Sequence, residues 1–124
     1  MPVPSFLETF MFSTCSASAV RLPASLSRPL FPMGRLLATP GAIRALELYR
    51  VSALALLSRH VRGDWGELCA EDRQSNADAL EHGLRLMSVY TLSREEGGQT
   101  VHATVWVITE ADRASTTVLL PAEY

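Results

Sequence analysis

The stretch Thr100–Thr109, TVHATVWVIT, narrows the possible folds more than any other part of the chain. Val101, Ala103, Val105 and Val107 alternate onto one face of an extended segment, while Trp106 and Ile108 add apolar bulk to the other. A strand apolar on both faces belongs inside a sheet, because a one-sided position would leave half of that surface in water. Flanking segments supply candidate neighbours. "LRLMSVYTLS" before it and "STTVLLP" after it both read as strands, and Pro121 ends the last one. Between the first two lies "REEGGQ", read as a polar loop whose Gly97-Gly98 favours a hairpin.

Upstream the periodicity is helical. "LFPMGRLLATPG" reads as a short strand and turn, after which Thr39 stands at an N-cap with Pro40 at the first helical position. The helix "PGAIRALELYR" spaces Ile43, Leu46 and Tyr49 or Arg50 along one side. Ser52 then caps "SALALLSRHVRG", in which Leu54, Leu57 and Val61 form the expected stripe and Gly63 the stop. A turn about Asp64-Trp65-Gly66 leads to a third helix from about Ala70 to Gly83, with a thin apolar face of Ala77 and Leu80. The order β-α-α-α-β-β-β predicts an α+β fold, an antiparallel meander sheet covered on one face by helices. Residues 30–124 are expected to form this single domain.

Residues 1–29 do not share the pattern. They are rich in proline and serine and carry a single acidic residue, Glu8. A disordered extension, or upstream sequence translated from a misassigned start, is the expectation for them. Ala17-Ser18-Ala19 resembles a signal-peptidase site, but no basic residue precedes the apolar run and Glu8 interrupts it. The two cysteines, Cys15 and Cys69, have no partners at metal-ligand spacing, and no apolar run reaches transmembrane length. Cytoplasmic localisation, no membrane, no metal and no cofactor are therefore expected. All eleven cations are arginines, and the net charge is −2. That balance lacks the basic footprint of a nucleic-acid binder.

Polar residues in suggestive places remain. His60, four residues before Asp64 and at a helix end, is a candidate acid or base, or else a cap for the last carbonyls. Glu110 and Asp112 are further acid/base candidates, with Arg113 beside them, yet a charged hairpin turn accounts for all of them. Trp65 reads as a core plug, and Asn76 as a buried hydrogen-bonder that fixes the Asp64-Trp65-Gly66 turn. Ser88 and Tyr90 share a strand face that Arg85 does not. The G-x-S-x-G elbow is missing, which argues against a serine nucleophile. His82 and His102 are expected at the surface.

"LFPMGRLLATPGAIRAL", "LLSRHVRGDWGEL", "EDRQSNADAL", "GLRLMSVYTL" and "VWVITEADRASTTVLLPAEY" resemble, in this order, a family of small proteins of proteobacterial plasmids and mobile elements. Its members carry descriptions such as plasmid-related protein or restriction-enzyme subunit M. The resemblance covers about residues 30–124, although "SREEGGQTVHAT" is longer than the family form. It implies importance for Asp64, Trp65, Asn76, Arg85, Ser88, Tyr90, Thr109, Glu110, Asp112 and Arg113. It implies a mobile-element context and no particular chemistry. The expectation is an accessory protein that binds an unidentified protein partner or itself as a homo-oligomer. Trp65, Asn76, Arg85, Ser88, Tyr90 and Arg113 are then binding residues. The alternative is a nuclease- or hydrolase-like enzyme using His60/Asp64 or Glu110/Asp112 with Arg113.

Overall fold

The computed structural model describes residues 28–124. The expected extension, residues 1–29, lies outside them except for Arg28 and Pro29, which are exposed. The elements are β1 (Arg35–Ala38), α1 (Pro40–Tyr49), α2 (Ala53–Val61), α3 (Ala70–His82), β2 (Leu86–Glu96), β3 (Gln99–Thr109) and β4 (Ser115–Leu119). A short 3-10 turn, Pro121–Glu123, closes the chain. This is the expected β-α-α-α-β-β-β order of an α+β fold.

Helix starts follow the sequence chemistry. Thr39 is extended and its hydroxyl accepts the Ala42 N–H at 3.2 Å, with Pro40 next in line. Ser52 likewise accepts from Leu54 N at 3.2 Å. Gly83, in the left-handed region, ends α3. One contribution comes from far along the chain. The Glu123 carboxylate accepts from Gly41 N at 3.1 Å and from the Thr39 hydroxyl, which places a negative charge on the α1 N-terminus.

The sheet order is β1-β4-β3-β2. β3 is interior as expected, antiparallel to both neighbours. The sheet is mixed, however, because β1 runs parallel to β4, with Leu36 opposite Thr116 and Ala38 opposite Val118. Thr116 and Val118 are buried, and the backbone groups that β4 turns away from β3 need a second partner there. β1 supplies the second one. The expected polar loop also differs. β2 and β3 remain paired out to Glu96 opposite Gln99, leaving a two-residue turn. Gly97 and Gly98 both have positive φ, 58° and 80°, which this tight turn requires.

One sheet face carries the core. Tyr90 and Leu92 of β2, Val105 and Val107 of β3, and Val118 of β4 pack with Ala42 and Leu46 of α1 and Leu56 and Leu57 of α2. Each fully buried side chain of this kind stabilises the fold by about 1.5–3 kcal/mol. All three predicted helix faces differ from the observed ones: on α1, Ile43 is exposed while Ala42 and Leu46 are buried. On α2, Leu54 is 58% exposed, and Leu56, Leu57 and His60 point inward. On α3, Asn76 and Ala79 are buried while Ala77 is exposed. On α2 and α3 a polar residue with partners, His60 or Asn76, shares the inner face, which an apolar stripe cannot reveal.

Candidate functional site

His60 anchors a chain of buried polar groups. Its Nδ1 lies 2.6 Å from Ser88 Oγ and its Nε2 2.9 Å from Thr109 Oγ1. Thr109 Oγ1 meets Thr116 Oγ1 at 2.7 Å, and Thr116 donates to the Met33 carbonyl at 2.8 Å. All four side chains have zero exposure. The chain has one consistent direction, because a carbonyl only accepts. Thr116 spends its proton on Met33, so Thr109 donates to Thr116 and accepts from His60 Nε2–H. Nδ1 is then bare and accepts from Ser88. Phe31 and Trp65 close over the imidazole edge-on, with ring centroids 5.3 and 5.7 Å away. Burial pushes the His60 pKa down to about 4.

The predicted pairing of His60 with Asp64 does not form, and neither does a helix cap from the imidazole. His60 faces the sheet, whereas Asp64 lies outside and pairs with Arg59, Nε to Oδ2 at 2.7 Å and Nη2 to Oδ1 at 3.3 Å. That bond holds the Asp64 carboxyl below its ordinary range. Arg59 Cζ also stands 4.5 Å over the Tyr90 ring. Tyr90 donates to the Asp64 carbonyl at 2.6 Å, and burial raises its pKa to about 12.

The Asp64–Glu67 turn docks on the outer edge of β2. Val89 N donates to the Trp65 carbonyl at 3.0 Å, and Glu67 N donates to the Val89 carbonyl at 2.7 Å. Only glycine fits between them: a Cβ on Gly66 would come within 1.9 Å of the Val89 oxygen. Trp65 is the expected plug, stacked on Phe31 at 6.4 Å. Asn76 is a buried hydrogen-bonder but serves a different place from the one expected. Its amide donates to the Met87 carbonyl at 2.7 Å and accepts from Met87 N at 3.2 Å. Arg73 fixes the turn instead, donating to the Leu68 and Gly66 carbonyls at 2.9 and 2.7 Å.

The charged segment after β3 is a turn with an inward-reaching arginine. Arg113, at φ 60°, donates from Nη1 to the carbonyls of Leu84, Glu110 and Ala111 at 2.6, 3.1 and 3.2 Å. Its Nη2 reaches the Ala79 carbonyl at 3.1 Å. A guanidinium thereby caps the C-terminal end of α3 from another part of the fold. Asp112 accepts from Ala114 N at 2.9 Å, an ordinary turn bond. Glu110 stands 3.6 Å from Arg85, whose guanidinium also bonds the Tyr124 hydroxyl.

The candidates therefore sort into separate structural units rather than one open site. His60 and Ser88 share the buried chain, Asp64 and Tyr90 the turn, and Glu110, Arg85 and Arg113 the far corner. Thr109 and Thr116 complete the chain, and Arg59 and Glu123 hold two joints. None of these four was singled out by sequence chemistry, although the resemblance included Thr109. Only the strand alternation, which sets Thr109 and Thr116 on the core face, could have pointed to the threonines. An open depression beside α1 is lined by the apolar Ala38, Ile43, Leu46, Val51 and Ala53 together with Glu47 and Arg50, and none of the candidate residues reaches it. Among the described residues, no group of histidine, cysteine or carboxylate side chains is placed to hold a metal ion, and no helix is long and apolar enough to cross a membrane. Comparison with protein-family models, characterised proteins and solved structures finds no match to this chain.

Proposed function

We propose that this chain works by association rather than by chemistry of its own: a small accessory protein that holds a macromolecular partner or a second copy of itself. The observation that supports this most is where its polar side chains spend their bonds. His60, Ser88, Asn76, Tyr90 and Arg113 each bond to other parts of the same fold. A general acid or base must reach a substrate proton, and His60 has no exposed surface. The mobile-element context is supported by sequence resemblance alone, and a cytoplasmic location by the sequence having only two cysteines, 54 positions apart.

A screen of the full chain against nucleic acids and phosphate and carboxylate esters, with magnesium or manganese, tests this reading. Turnover no higher than buffer is the expected result. Turnover that is abolished by Glu110→Gln or His60→Ala, at unchanged melting temperature, overturns it.

A further inference from the structure

The outer edge of β2 is finished along half its length and bare along the rest. In an antiparallel ladder, alternate residues turn both backbone groups to the same side. Met87 and Val89 turn theirs away from β3, and both are met: Met87 by the Asn76 amide, Val89 by Trp65 and Glu67. Thr91, Ser93 and Glu95 point the same way by this parity. No described residue bonds their N–H or C=O groups, and all three are exposed. Beyond Trp106, β3 has no β4 beside it, since Leu119 is the last paired residue. The distal hairpin is therefore a two-stranded ribbon, marginal by itself in water. No proline and no bulge interrupts the pairing, and the charged residues Arg94, Glu95 and Glu96 guard only its outer end.

We propose that a second copy of this chain completes the sheet by antiparallel pairing of β2 with β2 about a two-fold axis at Ser93. This deepens the association reading above and rests on it. The register follows from three constraints. Outward groups must meet outward groups, Val89 is already occupied, and like charges must not oppose. Pairing about Thr91 would set Ser93 against the occupied Val89. Pairing about Glu95 would set two carboxylates face to face. Pairing about Ser93 sets Thr91 opposite Glu95 of the other copy and Leu92 opposite its Arg94, with every bare group matched and only the turn residue Gly97 level with the occupied Val89. The outer edge of β3 is the weaker candidate. Its inner end is crowded by the closing turn, and its own two-fold register opposes His102 to His102.

So short an edge buries less than the ~1,200 Å² of a stable interface, so the dimer is weak, forming over roughly 10 µM to 1 mM. Sedimentation velocity of the full chain over that range should show the apparent mass rising toward a dimer. Ser93→Pro should weaken association at least about tenfold with little change in melting, because the Ser93 N–H bonds nothing within the fold. Ser93→Lys, which opposes two like charges at the axis, should do the same and be relieved by salt. His102→Pro should associate as the parent does. A monomer at every concentration, unchanged association in both Ser93 variants, or loss in His102→Pro alone would overturn the proposal. A silent activity screen beside a monomeric chain would remove this dimer and leave the association reading standing; turnover beside a Ser93-dependent dimer would do the reverse.

Discussion

His60 Nε2 lies 2.9 Å from Thr109 Oγ1, both at zero exposure, so that one imidazole ties α2 to the interior strand β3. A neutral ring protonated on Nε2 fits the bonds around it. An imidazolium would have to turn the Ser88 hydroxyl away from Nδ1 and would bury its charge in an aromatic enclosure.

Stability should therefore depend on this residue in mild acid. Its pKa is 6.5 when unfolded and about 4 when folded. Between those values the unfolded chain binds a proton that the folded chain refuses, so stability falls as pH drops from 6.5 to 4 and is flat above. The full loss is about 3 kcal/mol. Urea titrations at intervals from pH 8 to 4 should show this slope, and His60→Gln should lack it. Asp64, held low by Arg59, adds its own loss in stronger acid and is common to both proteins.

Arg113→Ala removes donors to the Leu84, Glu110, Ala111 and Ala79 carbonyls and should cost about 2–3 kcal/mol, read as the shift in urea midpoint. Asp112→Ala should cost about 0.5–1 kcal/mol, since it loses one turn bond. Equal effects would contradict the inward role of the guanidinium.

Gly66→Ala and Gly83→Ala separate close approach from backbone strain. Both glycines have positive φ, 75° and 69°. A Cβ at Gly66 runs into the Val89 carbonyl, whereas one at Gly83 meets nothing within 4 Å. Gly83→Ala should cost about 1 kcal/mol, and Gly66→Ala clearly more, with the turn lifted from β2. Amide exchange at Val89 should accelerate in the second variant only.

Trp106 lies on the sheet face opposite the core, half-buried, with Tyr124 edge-on at 5.6 Å. Trp106→Ala should cost about 1–3 kcal/mol, below the ~3–5 kcal/mol of a fully buried aromatic. A value under about 0.5 kcal/mol in guanidinium unfolding would mean that this face contributes little.

The elements were legible because each has a local cause: the two-sided strand at Thr100–Thr109, the Thr39-Pro40 and Ser52 caps, and the Gly83 stop. What stayed hidden depended on residues distant in sequence. Nothing near Arg35–Ala38 says that it will lie parallel to β4. The inner face of α2 was misplaced because His60 reads as a helix-end residue until Ser88 and Thr109 arrive to bond it, and on α3 the thin apolar stripe put Ala77 inward in place of Ala79. Arg113 illustrates the same limit. Its turn was readable from "TEADR", but its task of capping α3 depends on carbonyls of Ala79 and Leu84 that only the fold brings near.

The most direct test of the account is the protonation state of His60 by ¹⁵N-detected NMR of the full chain. A structural imidazole should show a protonated Nε2 and a bare Nδ1 at neutral pH, with no titration until about pH 4. An imidazole that carries its proton on Nδ1, or titrates near 6.5, would contradict it and return His60 to the candidates for chemistry.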